Sequence, residues 1–178
     1  HGSKELRGVG DRHESLSAIQ ETVKSEGFYA VLCYSPREMA QDQPVKALVI
    51  ALTGHAAAAV YTINRLQPDS LCFVLPEGAK ALVESEVQPK IEHLPRRWDW
   101  VVLPETGEFV GCYQTLARTL PEMLRTWDVQ SGELVVDVTG ATPAMAGALT
   151  LVTMPMSSRI VSLVPAQEGQ EGDRIDIA

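Results

Sequence analysis

The sequence predicts a doubly wound, mainly parallel α/β domain of the Rossmann-like kind, preceded by a helical or linker extension. Three observations predict it. Short apolar runs rich in β-branched residues alternate with amphipathic helical stretches from Val45 onward. The runs are apolar at successive positions, as strands are when both faces of a sheet are covered. Two of them end in a Thr-Gly turn that leads straight into a helix.

Taken in order, Val45 to Leu52 (VKALVIAL) is a buried strand closed by the tight loop Thr53-Gly54-His55. A helix is expected from about Ala56 to Leu66, a strand over Leu71 to Leu75, and a helix over Gly78 to Glu86. Ile91 to Leu94 reads as a short extended piece, and Trp98 to Leu103 as the third long strand. Of its two tryptophans, one is expected in the core and the other packed under a helix. After Glu105-Thr106-Gly107 comes a helix with Phe109, Tyr113, Leu116, Leu120 and Leu124 on its apolar face. Pro121 is expected to kink it.

The fourth strand, Leu134-Val135-Val136, runs into Asp137 and Thr139, and Gly140 lets the backbone turn without a Cβ. Thr142-Pro143 then has the form of a helix start: threonine caps free N–H groups, and proline at the first helical position has none to lose. Asp137 is expected to bond the N–H groups of this turn. Ser158 to Val164 is the last strand. Upstream, Leu16 to Val23 fits a short helix ended by Gly27, while Phe28 to Tyr34 is too short a run for periodicity to tell strand from helical turn.

The chain thus divides into residues 1–3, which look like the scar of a cleaved tag; a 4–44 extension; a 45–165 ligand-binding domain; and a polar, acidic 166–178 tail. A length of 178 residues suits one domain with a real core. A net charge of −8 argues against binding duplex nucleic acid, which needs a basic face. Cys33, Cys72 and Cys112 are too far apart for a zinc site and read as reduced thiols; no metal or cofactor is expected. No apolar run reaches the ~18 residues that span a bilayer. Lys4, Arg7 and Arg12 are either a solvated tail or the cytoplasmic flank of a removed membrane segment.

In a 3-2-1-4-5 sheet the first and fourth strands are neighbours, and ligands bind outside their carboxyl ends where the order reverses. These are the two strands that end in Thr-Gly, so Thr53-Gly54-His55 and Thr139-Gly140-Ala141-Thr142 converge there. Backbone N–H groups at the start of the following helix make that corner a candidate anion site, phosphate being the usual anion. The rival motifs fail. D-x-T-G-x-T resembles the phosphorylated loop of ion-pumping ATPases, but too little chain follows to supply the rest of that site. No G-x-G-x-x-G, phosphate-binding P-loop or nucleophile elbow is present.

Residues 137–149, D-V-T-G-A-T-P-A-M-A-G-A-L, resemble the D-V/I-T-G-G-T-K-x-M-S/A signature of CRISPR-associated Rossmann-fold (CARF) domains, and the likeness extends over Val45 to Val164. The resemblance implies a sensor of type III CRISPR defence that binds a cyclic oligoadenylate, with cyclic tetra-adenylate favoured over the hexa-adenylate. The ring would lie across the two-fold axis of a homodimer. It also implies ligand contacts from Thr53, Gly54, His55, Thr139, Gly140, Ala141, Thr142, Pro143 and Met145, with a core position equally open to Met145 and a capping role to His55. Two positions depart from the signature: Ala141 replaces its second glycine, and Pro143 its lysine, which removes a positive charge. The loss weakens the alternative that the chain is a ring nuclease, and no catalytic residue is assigned. An effector would lie outside this chain; a deleted membrane helix would anchor the whole protein in the inner membrane with this part facing the cytoplasm.

Overall fold

The structure, a computed structural model, describes residues 28–32, 45–54, 56–156 and 158–165, with 28–32 and 164–165 described by backbone only. The helix expected over 16–23, the 33–44 stretch, His55 and the tail lie outside the described residues. Six strands are described: β1 (Phe28–Leu32), β2 (Ala47–Leu52), β3 (Ser70–Pro76), β4 (Arg97–Leu103), β5 (Leu134–Gly140) and β6 (Arg159–Pro165). They form one sheet in the order β1-β6-β5-β2-β3-β4. β2 through β6 run parallel in the predicted 3-2-1-4-5 arrangement, and β1 adds an antiparallel edge on β6. The ambiguous run at Phe28 is therefore a strand, as pairing across Ala30 and Leu163 decides.

β2 is the axis of the core because every one of its residues is buried. Its alternation sends Ala47, Val49 and Ala51 to one face and Leu48, Ile50 and Leu52 to the other. On the first face lie α3 (Phe109–Thr126) and α4 (Pro143–Thr153); on the second lie α1 (Ala56–Leu66) and α2, a turn at Lys80–Leu82 that widens to π geometry over Val83–Val87. Each fully buried leucine or isoleucine here contributes about 1.5–3 kcal/mol of transfer free energy. α3 docks through Cys112, Leu116, Leu120 and Leu124, one residue per turn. Its first turn is capped by Glu108, whose Oε2 accepts from the Gly111 N–H at 3.1 Å.

Three expectations are corrected. Ile91–Leu94 forms no strand; it follows a 3₁₀ turn at Gln88–Lys90 and is tied to α1, where the Glu92 N–H donates to Asn64 Oδ1 at 3.0 Å. The Gly78–Glu86 helix is a mixed 3₁₀, α and π segment. Pro121 lies inside α3 without ending it: Pro121 and Ala117, whose carbonyl it leaves without a helical partner, both face solvent, where water can bond that carbonyl. Trp98 and Trp100 do not divide between two environments, because alternate strand residues share a face. Both pack on the α1/α2 side, Trp98 against Phe73 at 5.2 Å between centroids and edge-on to Trp100 at 6.4 Å.

Candidate ligand-binding site

The carboxyl ends of β2 and β5 meet at the switch point, and their joining is irregular. Ile50 lies opposite Asp137 and Leu52 opposite Gly140, so β5 uses three residues where β2 uses two. This bulge lifts the end of β5 and turns its last residues across β2. The Gly140 carbonyl then accepts twice from Thr53, from its N–H at 3.2 Å and its hydroxyl at 2.7 Å. The two Thr-Gly loops are thereby one hydrogen-bonded corner.

Gly140 is needed here for a different reason than the expected turn. Its φ is not positive; a Cβ on it would lie 2.5 Å from the Ala51 carbonyl oxygen, which no side chain tolerates. Gly54, in contrast, has open space around its Cβ position.

Asp137 is 1% exposed and anchors the corner from beneath. Its Oδ1 accepts from the Thr139 N–H at 2.8 Å and from the Thr139 hydroxyl, and its Oδ2 accepts from the Thr62 hydroxyl of α1 at 2.6 Å. Thr139 Oγ1 in turn accepts from the Leu163 N–H of β6 at 2.8 Å. One carboxylate therefore ties α1, β5 and β6 together. Burial pushes its pKa up, and the bonds from Thr139 and Thr62 pull it partly back. The expected bond from Asp137 to the turn N–H is present, and the tie to α1 is an addition that sequence spacing does not reveal.

Thr142 caps α4 as its position predicts, accepting from the Met145 N–H at 3.3 Å, and donates its hydroxyl to the Thr106 carbonyl of the β4–α3 loop. Several N–H groups were expected to point to one place; most are taken. Ala141 N–H bonds the Val138 carbonyl and Ala146 N–H the Thr142 carbonyl. Among the described residues of this corner, that leaves the Gly54 N–H and, at the positive end of the α4 dipole, the Thr142 and Ala144 N–H groups for an anion.

Of the nine residues assigned to the site, Thr53, Gly54 and Pro143 are exposed, and Ala141 and Thr142 are half-buried around them. Gly140 and Thr139 act through backbone and internal bonding. Met145 is fully buried in the α3/α4 core layer. The structure thus gives Met145 a core position, since the cap at Thr142 turns it inward on the first turn of α4. Thr62 and Thr106, which the sequence did not single out, complete the framework. Among the described residues no His/Cys/Asp/Glu cluster could hold a metal ion. Cys72 and Cys112 are free and buried, and burial raises both thiols, that of Cys72 beyond the usual thiol range.

A parallel sheet with helices on both faces and a polar corner at its switch point defines the class: a Rossmann-like α/β domain. Two solved structures share this fold. Csm6 from Enterococcus italicus, bound to cyclic hexa-2′-fluoro-hexa-dAMP, matches with a TM-score of 0.50 and 18% identity over 65% of this chain and 32% of its own. Can2 from Sulfobacillus thermosulfidooxidans, in complex with cyclic tetra-adenylate, matches with a TM-score of 0.52 and 15% identity over 71% of this chain and 36% of its own. The chain spans about a third of the length of either protein. No protein-family model matches the sequence, and no curated protein does. Among the described residues no helix is long and apolar enough to cross a membrane.

Proposed function

We propose that this domain is a cyclic oligoadenylate sensor of type III CRISPR defence, which holds a tetra-adenylate ring across the two-fold axis of a homodimer. The observation that carries the reading is the hydrogen-bonded corner of Thr53 and Gly140 beside the amino end of α4. An N-terminal helix end with backbone donors suits a phosphodiester, and a two-fold axis lets each copy read half of a symmetric ring. The fold shared with chains that carry cyclic tetra-adenylate and a cyclic hexa-nucleotide supports the ligand class. Signalling passes to an effector part outside this chain, which we assign to a membrane segment at the amino-terminal side.

Sensing is favoured over ring cleavage because Pro143 stands where the signature has lysine, which takes a positive charge from the corner. Calorimetry with cyclic tetra- and hexa-adenylate is expected to give saturable heat at one ring per two chains, tighter for the tetra-adenylate. Absence of heat with both rings would sink the proposal, and conversion of labelled ring to linear product would replace it with the nuclease reading.

Pro143 is exposed at the first turn of α4, where the signature has lysine. Pro143→Lys is expected to tighten ring binding about tenfold, equivalent to about 1.4 kcal/mol, by adding a cation near a phosphate. The same change should cost a few tenths of a kcal/mol of stability, because a cation opposes the helix dipole there. Unchanged affinity in low salt would place the phosphates elsewhere.

A further inference from the structure

Asp137 is the only buried carboxyl group among the described residues, and none of their ion pairs includes it. Of the elements packed around it, β2 has no ionisable side chain, α1 has Tyr61 and Arg65, and β6 has Arg159. The stretch that follows it, 138–158, carries none either. Burying a charge without a cation beside it is expensive, and a carboxyl group in that position keeps its proton instead.

The bonds around the carboxyl group have a place for that proton. Oδ1 accepts twice, from the Thr139 N–H at 2.8 Å and from the Thr139 hydroxyl, whose own oxygen accepts from the Leu163 N–H. Both of its lone pairs are filled, as on the carbonyl oxygen of an acid. Oδ2 has one bonding partner among the described residues, the Thr62 hydroxyl at 2.6 Å. That hydroxyl has a single hydrogen and a second acceptor in reach, the Ala58 carbonyl at 3.2 Å, one turn back along α1. Thr119, Thr126, Thr150 and Thr153 each give their hydrogen to the carbonyl four residues back. With Asp137 ionised, Thr62 must leave one of its two oxygen neighbours bare. With a proton on Oδ2 both bonds form: Oδ2 donates to Thr62 Oγ1, and Thr62 donates to Ala58. Burial pushes the carboxyl group up in the same sense, opposed only by its bonds to Thr139 and Thr62.

We infer that Asp137 is a neutral carboxylic acid in the folded domain at neutral pH, with its proton on Oδ2, and that an anionic ring binds this protonated form more tightly than the ionised one. The proton stands on burial and bonding alone; its link to the ring rests on the proposed function. Asp137 holds the Thr139 N–H next to Gly140, beneath the corner where Gly54, Thr142 and Ala144 offer their N–H groups. A full negative charge there would repel a phosphodiester through a medium of low dielectric. A proton cancels that charge without changing the shape of the corner. Linkage is reciprocal: a ring that prefers the protonated form raises the pKa of Asp137 when it binds. Above the pKa of the free domain, binding therefore takes up a proton from solvent.

Infrared difference spectra without ligand, wild type minus Asp137→Asn at neutral pH, are expected to show the C=O stretch of a protonated carboxyl group. The other Asp and Glu side chains of the described residues are at least partly exposed and do not compete for that band. In the wild type alone the band should fade only at pH values well above those at which exposed carboxyl groups titrate, a measurement that serves where the variant does not fold. A carboxylate spectrum for Asp137 at neutral pH overturns the inference. Calorimetry with cyclic tetra-adenylate in buffers of different ionisation enthalpy tests the linkage. Above the midpoint of the band, binding should take up protons, and affinity should fall with rising pH by up to about tenfold per pH unit, the limit for one linked proton. Asp137→Asn should lose both effects. Uptake that persists in the variant belongs to another group, such as His55, and overturns the linkage, as does wild-type binding without uptake. An acid band together with no heat from the ring removes the sensor reading and leaves the neutral Asp137 in place.

Discussion

Gly140→Ala is expected to destabilise the domain by about 3 kcal/mol, because a methyl group forced against backbone cannot be relieved by a rotamer change. The new Cβ would meet the Ala51 carbonyl oxygen at 2.5 Å, so β2 and β5 must separate at the very residues that join the two loops. For a domain of this size that corresponds to a drop of about 6–12 °C in Tm, read by differential scanning calorimetry. Ring affinity should fall at least tenfold in the folded fraction, since the Thr53–Gly140 bonds hold the corner. Gly54→Ala is the control: nothing lies near its Cβ position, and the expected change in stability is within about 0.5 kcal/mol. Equal effects of the two substitutions would show that the close approach of strands is not what the corner depends on.

Asp137→Ala should be comparably severe, at about 3 kcal/mol. It strands the Thr139 hydroxyl and N–H, leaves the Thr62 hydroxyl only the Ala58 carbonyl at 3.2 Å, and empties a buried site, and orphaned donors cost their desolvation. Asp137→Asn keeps an acceptor for Thr139 and costs about 1 kcal/mol. The pair also carries a pH signature. Burial holds the folded-state pKa of Asp137 above its unfolded value, so between the two the folded protein binds more protons. The contribution of this group to stability is therefore full below the unfolded pKa and is lost as pH rises through the folded one. Wild type minus Asp137→Asn, measured by urea unfolding across that window, should decline with rising pH and then level off. A difference that grows with pH would mean that the hydrogen bonds outweigh burial.

The sheet order was legible because five apolar runs at α/β spacing admit few right-handed arrangements, and the two Thr-Gly loops fall at the switch point in the common one. The cap at Thr142 was legible from local chemistry, Thr followed by Pro at a helix start. Sequence missed the identity of the run at Phe28, because seven apolar residues carry no period that separates strand from turn; only pairing with β6 chooses. It divided Trp98 and Trp100, although a strand turns alternate residues to one face, and it gave Met145 to the ligand as readily as to the core.

The sequence by itself determined the kind of domain, the place of its corner and the absence of charge along 138–158, since each is a property of local pattern. Tertiary structure alone decided the bulge opposite Ile50, the 2.5 Å approach that makes Gly140 obligatory, and the Thr62–Asp137–Thr139 tie from α1 to β6. The physical reason is distance along the chain. Thr62 and Asp137 are 75 residues apart, and Ala51 and Gly140 lie on different strands, so no window of sequence contains both partners until the sheet brings them together.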